Sequence, residues 1–356
     1  MIGRIFGLVF IAALIAAGVW VYFFLQAAGV FTTVSAKAPG ACTAVTGGEI
    51  VGVEDLTIDP VTKIAFLSGY DRRIVTPGAA ARGAIWTYDL TERSDPVDAT
   101  VTALPTGFSP HGISLWSGAD GRKVLFAISH AGGRHTVEVF DVNGAALTYR
   151  RTVEGPELVS PNDIVGVGPD AFYVTNDHAN VAGWRRTAED YLRLKETKVY
   201  YFDGQGFTQV LDRIGGANGV NVSADGKSLY LSAASERTVY VFDRDLQTNA
   251  LTQRAAIAVP GFADNIEVLA NGDLLLGLHT KILQLIAHFS DPSKRSPSHV
   301  MHLKQDGKGG FTAQTIYYND GAEISGASVG AGVDRRLLIG AIIEPKILDC
   351  AWETAP

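Results

Sequence analysis

The sequence predicts a six-bladed β-propeller that follows a single apolar helix. Three observations lead to this fold class. A polar motif followed by apolar strands recurs six times, successive copies begin about 54 residues apart, and tight-turn dipeptides such as Asp-Gly and Asn-Gly separate the strands. One four-stranded blade per copy accounts for the roughly 315 residues after residue 40. We therefore divide the chain into a membrane anchor with a short linker at 1–36 and a propeller domain at 37–356.

The N-terminal segment is apolar enough to cross a membrane. No charged residue occurs between Ile5 and Ala36, and Arg4 precedes the run. About twenty apolar residues cross a bilayer core, and aromatic residues such as Trp20 stand near the far end, which favours an uncleaved anchor in an inside-to-outside orientation. A cleaved signal peptide is the alternative, although its apolar region is normally shorter. Either way we expect the propeller outside the cytoplasm, periplasmic or extracellular, and secreted if the segment is cleaved.

Composition and cysteine usage exclude several classes of protein. The 356 residues are 47% hydrophobic and 19% charged, which excludes a disordered chain. A net charge of −7 without any basic cluster excludes a nucleic-acid-binding protein. Cys42 and Cys350 are the only cysteines, so a thiolate zinc site is excluded. In an exported chain these two terminal cysteines are expected to form a disulfide that joins the first and last blades, with two free thiols as the alternative.

The repeats place polar residues at equivalent positions of the predicted blades. The polar motifs begin at Glu54, His111, Asn162, Asn218, Asp264 and Gly326. The sequence has one helix-like stretch, 183–194, which excludes an alternating α/β fold, and a solenoid of similar period is the alternative to a propeller. Because the first strand of each blade lines the central channel, we expect the motif residues to converge there.

The converging side chains are mostly oxygen donors. They are Glu54, Asp55, His111, Asn162, Asp163, Asn218, Asp264 and Asn265. Carboxylates mixed with amide oxygens suit calcium, which takes six to eight oxygen ligands, better than zinc. A single Asn-Gly or Asn-Asp pair is more often a turn, but several repeats with oxygen at the same offset favour a metal site.

Several segments resemble the paraoxonases. They are Glu54-Asp55-Leu56, Pro110-His111-Gly112-Ile113-Ser114, Asn162-Asp163-Ile164-Val165, Thr175-Asn176-Asp177-His178, Ala217-Asn218-Gly219-Val220-Asn221, Asp264-Asn265-Ile266 and the two terminal cysteines. The resemblance covers residues 40–352 and implies a calcium-dependent hydrolase of lactones and aryl esters with two calcium ions. It implies a catalytic calcium held by Glu54, Asn162, Asn218, Asp264 and Asn265. It implies a structural calcium held by Asp55, Asp163 and the carbonyl of Ile113.

The resemblance also implies how the reaction proceeds. His111 is the expected general base with His130 as its partner, and Asp264 is the alternative base or nucleophile. The family has an aromatic residue where this chain has Gly216, so the pocket wall is expected to differ. Residues expected at the rim of the substrate pocket are Tyr70, Asp71 and His178, the last of which is also compatible with a structural role. A helix at 183–194 would roof the site and meet lipid or simply pack on the propeller.

Two other functions remain open at this point. One is a phosphotriesterase preference on the same metal site, and the other is a non-catalytic, calcium-stabilised propeller that binds a partner. The remaining histidines show no metal-ligand spacing and are expected to be surface or packing residues; they are His135, His279, His288, His299 and His302. The expected partners are a small lactone or ester and the membrane, and the sequence does not determine the oligomeric state.

Overall fold

The described residues form six four-stranded antiparallel sheets, in a computed structural model that describes residues 2–73, 83–100, 104–307 and 309–356. The innermost strand of each sheet neighbours the innermost strands of the sheets before and after it, and the sixth neighbours the first. This closed ring is the predicted six-bladed propeller, so the predicted fold class is confirmed.

The strands follow the order predicted from the repeats. The first strand is β1 (Cys42–Val45). Blade one contains β2 (Val53–Ile58), β3 (Ile64–Gly69), β4 (Ala84–Asp89) and β5 (Val97–Asp98). Blade two contains β6 (Pro110–Ser117), β7 (Lys123–Ser129), β8 (Thr136–Asn143) and β9 (Ala146–Val153). Blade three contains β10 (Pro161–Gly166), β11 (Phe172–Asn176), β12 (Thr197–Phe202) and β13 (Phe207–Ile214).

Blades four to six continue the same pattern. Blade four contains β14 (Ala217–Val222), β15 (Ser228–Ala233), β16 (Thr238–Arg244) and β17 (Leu251–Ala258). Blade five contains β18 (Phe262–Val268), β19 (Leu274–His279), β20 (Ser298–Gln305) and β21 (Phe311–Asn319). Blade six contains β22 (Ala327–Val333), β23 (Arg336–Ala341), β24 (Ile347–Ala351) and, as its outermost strand, β1.

The ring is closed by the N-terminal strand. β1 pairs antiparallel with β24, and Cys42 lies directly opposite Cys350 in that register. The two residues form a disulfide, which confirms the predicted bond. The bond lies within blade six, and because the chain continues from β1 into β2, it also ties the start of blade one to the last blade. A loop of this length gives the bond a stabilising effect of about 5 kcal/mol in the chain-entropy model.

Three α-helices lie outside the sheets in the described part of the chain. They are α1 (Ile2–Ala27), α2 (Gly183–Leu192) and α3 (Ile282–Ser290). The part of α1 from Arg4 to Ala27 is long and apolar enough to cross a membrane, and its most apolar window is not buried against the rest of the protein. The helix predicted at 183–194 is present as α2. It ends two residues earlier than predicted, because Arg193 adopts the left-handed conformation that terminates the helix.

The expectation of one helix-like stretch in the propeller was wrong, because α3 follows β19. Its sequence is short and almost wholly apolar, so a pattern-based prediction does not separate it from a buried strand. Leu285 of α3 packs against Ile342 and Ile343, which follow β23. Both α2 and α3 begin just after the second strand of a blade, and they therefore lie at the same end of the propeller.

Large apolar side chains fill the space between neighbouring blades. Phe126 of blade two lies 5.5 Å from Phe172 of blade three, measured between ring centroids, and Phe172 stacks on Phe202 at 4.9 Å. All three rings are buried. Contacts of this kind hold each sheet against the next and so keep the inner strands at a constant distance from the axis.

Candidate metal and catalytic site

A β-bulge near the start of each inner strand places the polar motifs. In blade two, Pro110 pairs with Ser129 and Ile113 pairs with Ala127, so three steps on β6 match two steps on β7. Blades three, four and five have the same shift after Pro161, Ala217 and Ala263. A regular strand turns consecutive side chains to opposite faces, and a bulge re-aims one of them. The bulges therefore let two adjacent residues, such as Asn162 and Asp163, both take part in one buried polar centre.

Two glycines allow neighbouring blades to approach at this level. A Cβ on Gly112 would lie 2.5 Å from the carbonyl oxygen of Asn162 and 2.6 Å from the Cα of Asp163. A Cβ on Gly219 would lie 2.3 Å from the carbonyl oxygen of Asp264. Any side chain at these positions would therefore displace the backbone that carries the polar residues of the next blade.

Asp55 and Asp163 each accept one backbone N–H hydrogen bond from their own strand and one from the following blade. Asp55 accepts hydrogen bonds from the N–H of Leu56 (2.8 Å) and of Ile113 (2.7 Å). Asp163 repeats the arrangement with Ile164 (2.7 Å) and Val220 (2.6 Å). Burial raises the pKa of both carboxyl groups well above the usual range. The two acids thus link adjacent inner strands through hydrogen bonds.

Four buried oxygens of the polar centre lack a hydrogen-bond partner. They are Glu54 Oε2, Asn162 Oδ1, Asn218 Oδ1 and Asn265 Oδ1. Within the described ranges they are the only buried carboxylate or amide oxygens in this condition, and all four come from the set predicted to hold a catalytic calcium. Asn265 donates through Nδ2 to Glu54 Oε1 (2.9 Å), which leaves its own Oδ1 free. Each unpaired buried acceptor costs about 1–3 kcal/mol, and a bound cation would remove that cost.

The donor set determines which cation fits. Among the described residues, no group of three or more His, Cys, Asp or Glu side chains could hold a metal ion by itself. Three of the five predicted ligands are asparagines, and amide oxygens with one or two carboxylates are a hard-oxygen set. Burial raises the pKa of Glu54 and of Asp264, and the opposing effects of Arg72 on Glu54 and of His279 on Asp264 do not cancel it. The residues present therefore fit calcium.

Asp264 is paired with a histidine that sequence reasoning missed. Its Oδ2 lies 2.6 Å from Nε2 of His279, and both side chains are buried. His279 is buried, as the packing interpretation predicts, but its hydrogen bond to a predicted ligand was not foreseen. A signal was available in the sequence. His279 lies at the end of the second strand of its blade, at the same offset from the inner strand as His130 in blade two.

His111 begins a chain of three imidazole rings. Its Nε2 lies 3.4 Å from Glu54 Oε2, and its Nδ1 lies 2.9 Å from Nε2 of His130. His130 Nδ1 in turn lies 2.7 Å from Nδ1 of His135, which was expected to be a surface or packing residue. Burial lowers the pKa of His111 to about 4, so this ring is neutral near neutral pH. A neutral imidazole next to the polar centre can accept a proton.

Tyr70 and Asp71, two of the residues predicted at the rim, lie beside the half-buried Arg72. Arg72 stacks over the Tyr70 ring at 4.9 Å and donates to the carbonyl oxygens of Gly52 (2.9 Å) and Ile342 (3.2 Å). Its positive charge opposes the effect of burial on the pKa of Glu54. Asp71 accepts a hydrogen bond from the N–H of Arg73 (2.9 Å). Arg72 itself was not among the residues expected at the rim of the pocket.

His178 connects the polar centre to α2. Asn162 donates to Asp177 Oδ2 at 3.5 Å, and Asp177 Oδ1 lies 2.8 Å from His178 Nδ1. His178 Nε2 lies 2.9 Å from Asp190 of α2. Burial alone would lower the pKa of His178, but Asp177 and Asp190 outweigh it and raise the value to about 9. A protonated His178 therefore ties α2 to the end of the propeller that contains the site.

Three other buried histidines and a large cavity lie outside the polar centre. His288, His299 and His302 are buried and paired with Glu344, Thr315 and Asp273, respectively, as the packing interpretation predicts. A cavity of about 890 Å³ lies at the opposite end of the channel, and none of the predicted ligands lines it.

Comparison with known proteins agrees with the geometry. The family model described as arylesterase matches residues 34–351. Bovine serum paraoxonase/arylesterase 2 is 32% identical over 66% of this chain and 66% of its own length, so the match spans slightly less than two thirds of that relative. Rat serum paraoxonase/arylesterase 1 is 30% identical over 85% of this chain and 86% of the relative. Human serum paraoxonase/lactonase 3 is 29% identical over 84% of this chain and 85% of the relative.

Solved structures agree in fold alone. A gluconolactonase from Xanthomonas campestris has a TM-score of 0.53 at 18% identity, and the match covers 90% of this chain and 98% of that one. Regucalcin from Agrobacterium tumefaciens, described as a calcium-binding protein, has a TM-score of 0.52 at 16% identity over 89% and 93% of the two chains.

Proposed function

The chain belongs to the arylesterase family of hydrolases, and from this premise we propose that it is a calcium-dependent hydrolase of lactones and aryl esters. The observation that carries the proposal is the set of four unpaired buried oxygens, with the neutral ring of His111 beside one of them. Relatives named arylesterase, paraoxonase and lactonase, together with a fold shared with gluconolactonase and regucalcin, support the same class of reaction.

We propose two calcium sites, as the resemblance to the family implies. The residues that would hold the catalytic ion are Glu54, Asn162, Asn218, Asp264 and Asn265, and those for a structural ion are Asp55, Asp163 and the carbonyl of Ile113. When bound, calcium polarises an ester carbonyl and stabilises the negative charge that develops on its oxygen. Glu54 and Asp264 supply two negative charges, which balance one divalent cation.

His111 is the proposed general base. Its Nε2 faces the polar centre, so it can take a proton from a water molecule that attacks the ester carbon, while its Nδ1 is held by His130. Asp264 is the weaker candidate, because Oδ2 is already paired with His279. Tyr70, Asp71 and His178 would border the entrance, and Gly216 leaves that wall without the aromatic side chain expected from the family.

Membrane attachment through α1 is part of the proposal. Phe24 near the end of α1 stacks on Tyr191 of α2 at 5.7 Å, and Ile282 of α3 donates to the carbonyl of Ala28 at 3.2 Å. Trp184 and Tyr191 of α2 are largely exposed apolar side chains on the same end. This arrangement would hold the propeller outside the cytoplasm with its site facing the bilayer surface, where amphipathic aromatic residues are favoured. The disulfide supports that location.

The proposal is tested with the full chain in detergent. Lactone, aryl-ester and phosphotriester substrates are assayed with calcium and with a chelator. We expect the protein to hydrolyse lactones and aryl esters with calcium and to lose this activity with the chelator. If the folded, calcium-bound protein hydrolyses no substrate, the proposed enzyme function is wrong and the protein is a calcium-stabilised binding protein. Preferential phosphotriester hydrolysis would instead support the phosphotriesterase alternative.

Two substitutions separate the roles of the site residues. Glu54→Gln should weaken calcium affinity at least tenfold, whereas Glu138→Gln, a buried carboxyl of blade two bonded to Thr136, should leave it unchanged. His111→Gln should lower hydrolysis by about 10²–10⁴-fold with calcium affinity retained. Unchanged activity in His111→Gln would remove the base role from that residue.

A further inference from the structure

Three histidines of blade two form a continuous chain from the polar centre to the surface. The links are His111 Nδ1 to His130 Nε2 at 2.9 Å and His130 Nδ1 to His135 Nδ1 at 2.7 Å. The ring centroids lie 5.1 and 4.8 Å apart, with the planes steeply inclined in both pairs. All three side chains are half-buried, and His135 lies next to the exposed residues Gly133 and Arg134.

The position of His135 follows from the loop after β7. His130 directly follows that strand, and Ala131–Gly133 form a single turn in which Gly132 and Gly133 have positive φ angles. The turn brings the chain back at His135, immediately before β8 starts at Thr136, so the two rings meet. A Cβ on either glycine would meet no other atom, and the two glycines therefore act through backbone conformation rather than close packing.

The two hydrogen bonds allow two arrangements of protons. A neutral imidazole carries one N–H and one bare nitrogen, so the bonds within the chain must all run in the same direction. If they run outward, His111 donates from Nδ1 to His130, His130 donates from Nδ1 to His135, and Nε2 of His111 is bare and faces Glu54. If they run inward, Nε2 of His111 carries the proton. Only the outward arrangement leaves His111 able to act as a base.

We propose that His135 is a positioning residue and the outer member of a three-histidine proton relay, which sets the outward arrangement and passes the proton taken by His111 towards the solvent. This inference rests on the proposed hydrolase function. His111 gains a proton at Nε2 and gives its Nδ1 proton to Nε2 of His130. His130 then gives its Nδ1 proton to Nδ1 of His135, which releases its Nε2 proton to water. One proton enters and one leaves, every ring ends neutral, and the chain is left in the inward arrangement. When Nε2 of His111 then gives its proton to the departing oxygen of the ester, His135 takes a proton from water at Nε2 and the two transfers run in reverse, which restores the outward arrangement.

The surroundings of His135 support its role as an exit. Burial lowers the pKa of His130 and, less deeply, of His135, so both rings are neutral near neutral pH and free to accept a proton transiently. The adjacent Arg134 is exposed and paired with the exposed Glu154 rather than with the ring. Among the residues that the structure describes, no ion pair holds His135 in its charged form, and a permanently charged ring could not accept the proton.

The decisive variant is His135→Asn in the full chain. Asparagine can hydrogen-bond to His130 from nearly the same place as the Nδ1 atom, but its amide does not pass a proton on. We expect kcat for the ester or lactone to fall about tenfold, with KM, calcium affinity and thermal stability unchanged. Added imidazole should restore most of the lost rate in the variant and change the wild type little. His299→Asn, another buried histidine bonded to a hydroxyl, serves as the matched control and should retain full activity.

A second measurement does not depend on activity. Nitrogen-15 spectra of labelled histidines should show a shared N–H···N bond between Nδ1 of His130 and Nδ1 of His135, and His135→Asn should move the His130 signal while His299→Asn does not. An active wild type with unchanged kcat in His135→Asn overturns the relay. A lower kcat that imidazole does not restore, or that accompanies lost stability, also overturns it. If the wild type hydrolyses no substrate while the spectra show the shared bond, the proposed function is wrong, and the three histidines form a hydrogen-bonded chain without a catalytic role.

Discussion

Oδ2 of Asp264 lies 2.6 Å from Nε2 of His279, and both side chains are buried at the end of the channel that holds the polar centre. Asp264 belongs to the bulge of β18, and His279 is the last residue of β19, the next strand of the same blade. The pairing occupies one oxygen of the carboxylate and leaves the other available, so it orients the group towards the axis.

Replacing His279 should therefore weaken calcium binding. Outer partners of metal ligands typically contribute ten- to hundredfold to affinity, and we expect a loss of about that size for His279→Ala. Calorimetric titration of the calcium-depleted chain measures it. His279→Gln, which can still donate to Asp264, should recover part of the loss, and His299→Gln should have no effect. Equal affinity in His279→Ala and the wild type would show that the pairing does not orient a ligand.

The close approach at Gly219 predicts a second effect on the site. In Gly219→Ala the added Cβ would stand 2.3 Å from the carbonyl oxygen of Asp264, so β18 must move outward. We expect a destabilisation of about 1–3 kcal/mol and weaker calcium binding. Gly206→Ala is the control, since a Cβ there meets nothing within 4 Å. Thermal unfolding and calcium titration of both variants test the idea, which fails if the two behave alike.

The disulfide of blade six predicts a dependence of stability on redox state. Cys350→Ser removes a bond that closes a loop of about three hundred residues, and the expected loss is at most about 5 kcal/mol. Unfolding in denaturant with and without reductant gives the measurement. Cys42→Ser should lose the same amount and the double variant no more, because all three lack one bond. A reductant that shifts the unfolding of Cys350→Ser would contradict this account.

His178 predicts a pH dependence of stability with a definite sign. Its pKa is about 9 in the folded protein, with Asp177 and Asp190 raising it and Arg186 opposing them, against about 6.5 in the unfolded chain. A raised folded pKa means that the contribution is fully present below pH 6.5 and is lost as the pH rises through 9. Its size is at most about 3 kcal/mol.

Replacing His178 should reveal that contribution. The Tm of His178→Gln should fall below that of the wild type at pH 6, and the gap should close towards pH 9. Burial lowers the pKa of His302, so His302→Gln should not reproduce this trend. A gap for His178→Gln that is the same at pH 6 and pH 9 would show that His178 is not held in its charged form.

Repetition in the sequence was enough to predict the blades. Polar motifs at equal offsets placed Glu54, Asn162 and Asn218 on inner strands, because a propeller puts equivalent positions of every blade at the same depth in its channel. The same reasoning could have found His279, which lies at the offset of His130. It could not have found α3, whose apolar sequence is equally compatible with a strand.

The sequence by itself determined the number of blades, the inner strands that carry the polar motifs, the disulfide partners and the apolar N-terminal helix. Only the tertiary structure decided which atoms meet: Asp264 with His279, Asn265 with Glu54, and His130 with His135. The physical reason is that local patterning sets the direction of a side chain along its own strand. Contacts across strands and blades depend instead on bulges, turns and the closure of the ring. These features move atoms by distances that cannot be read from the spacing of the repeats.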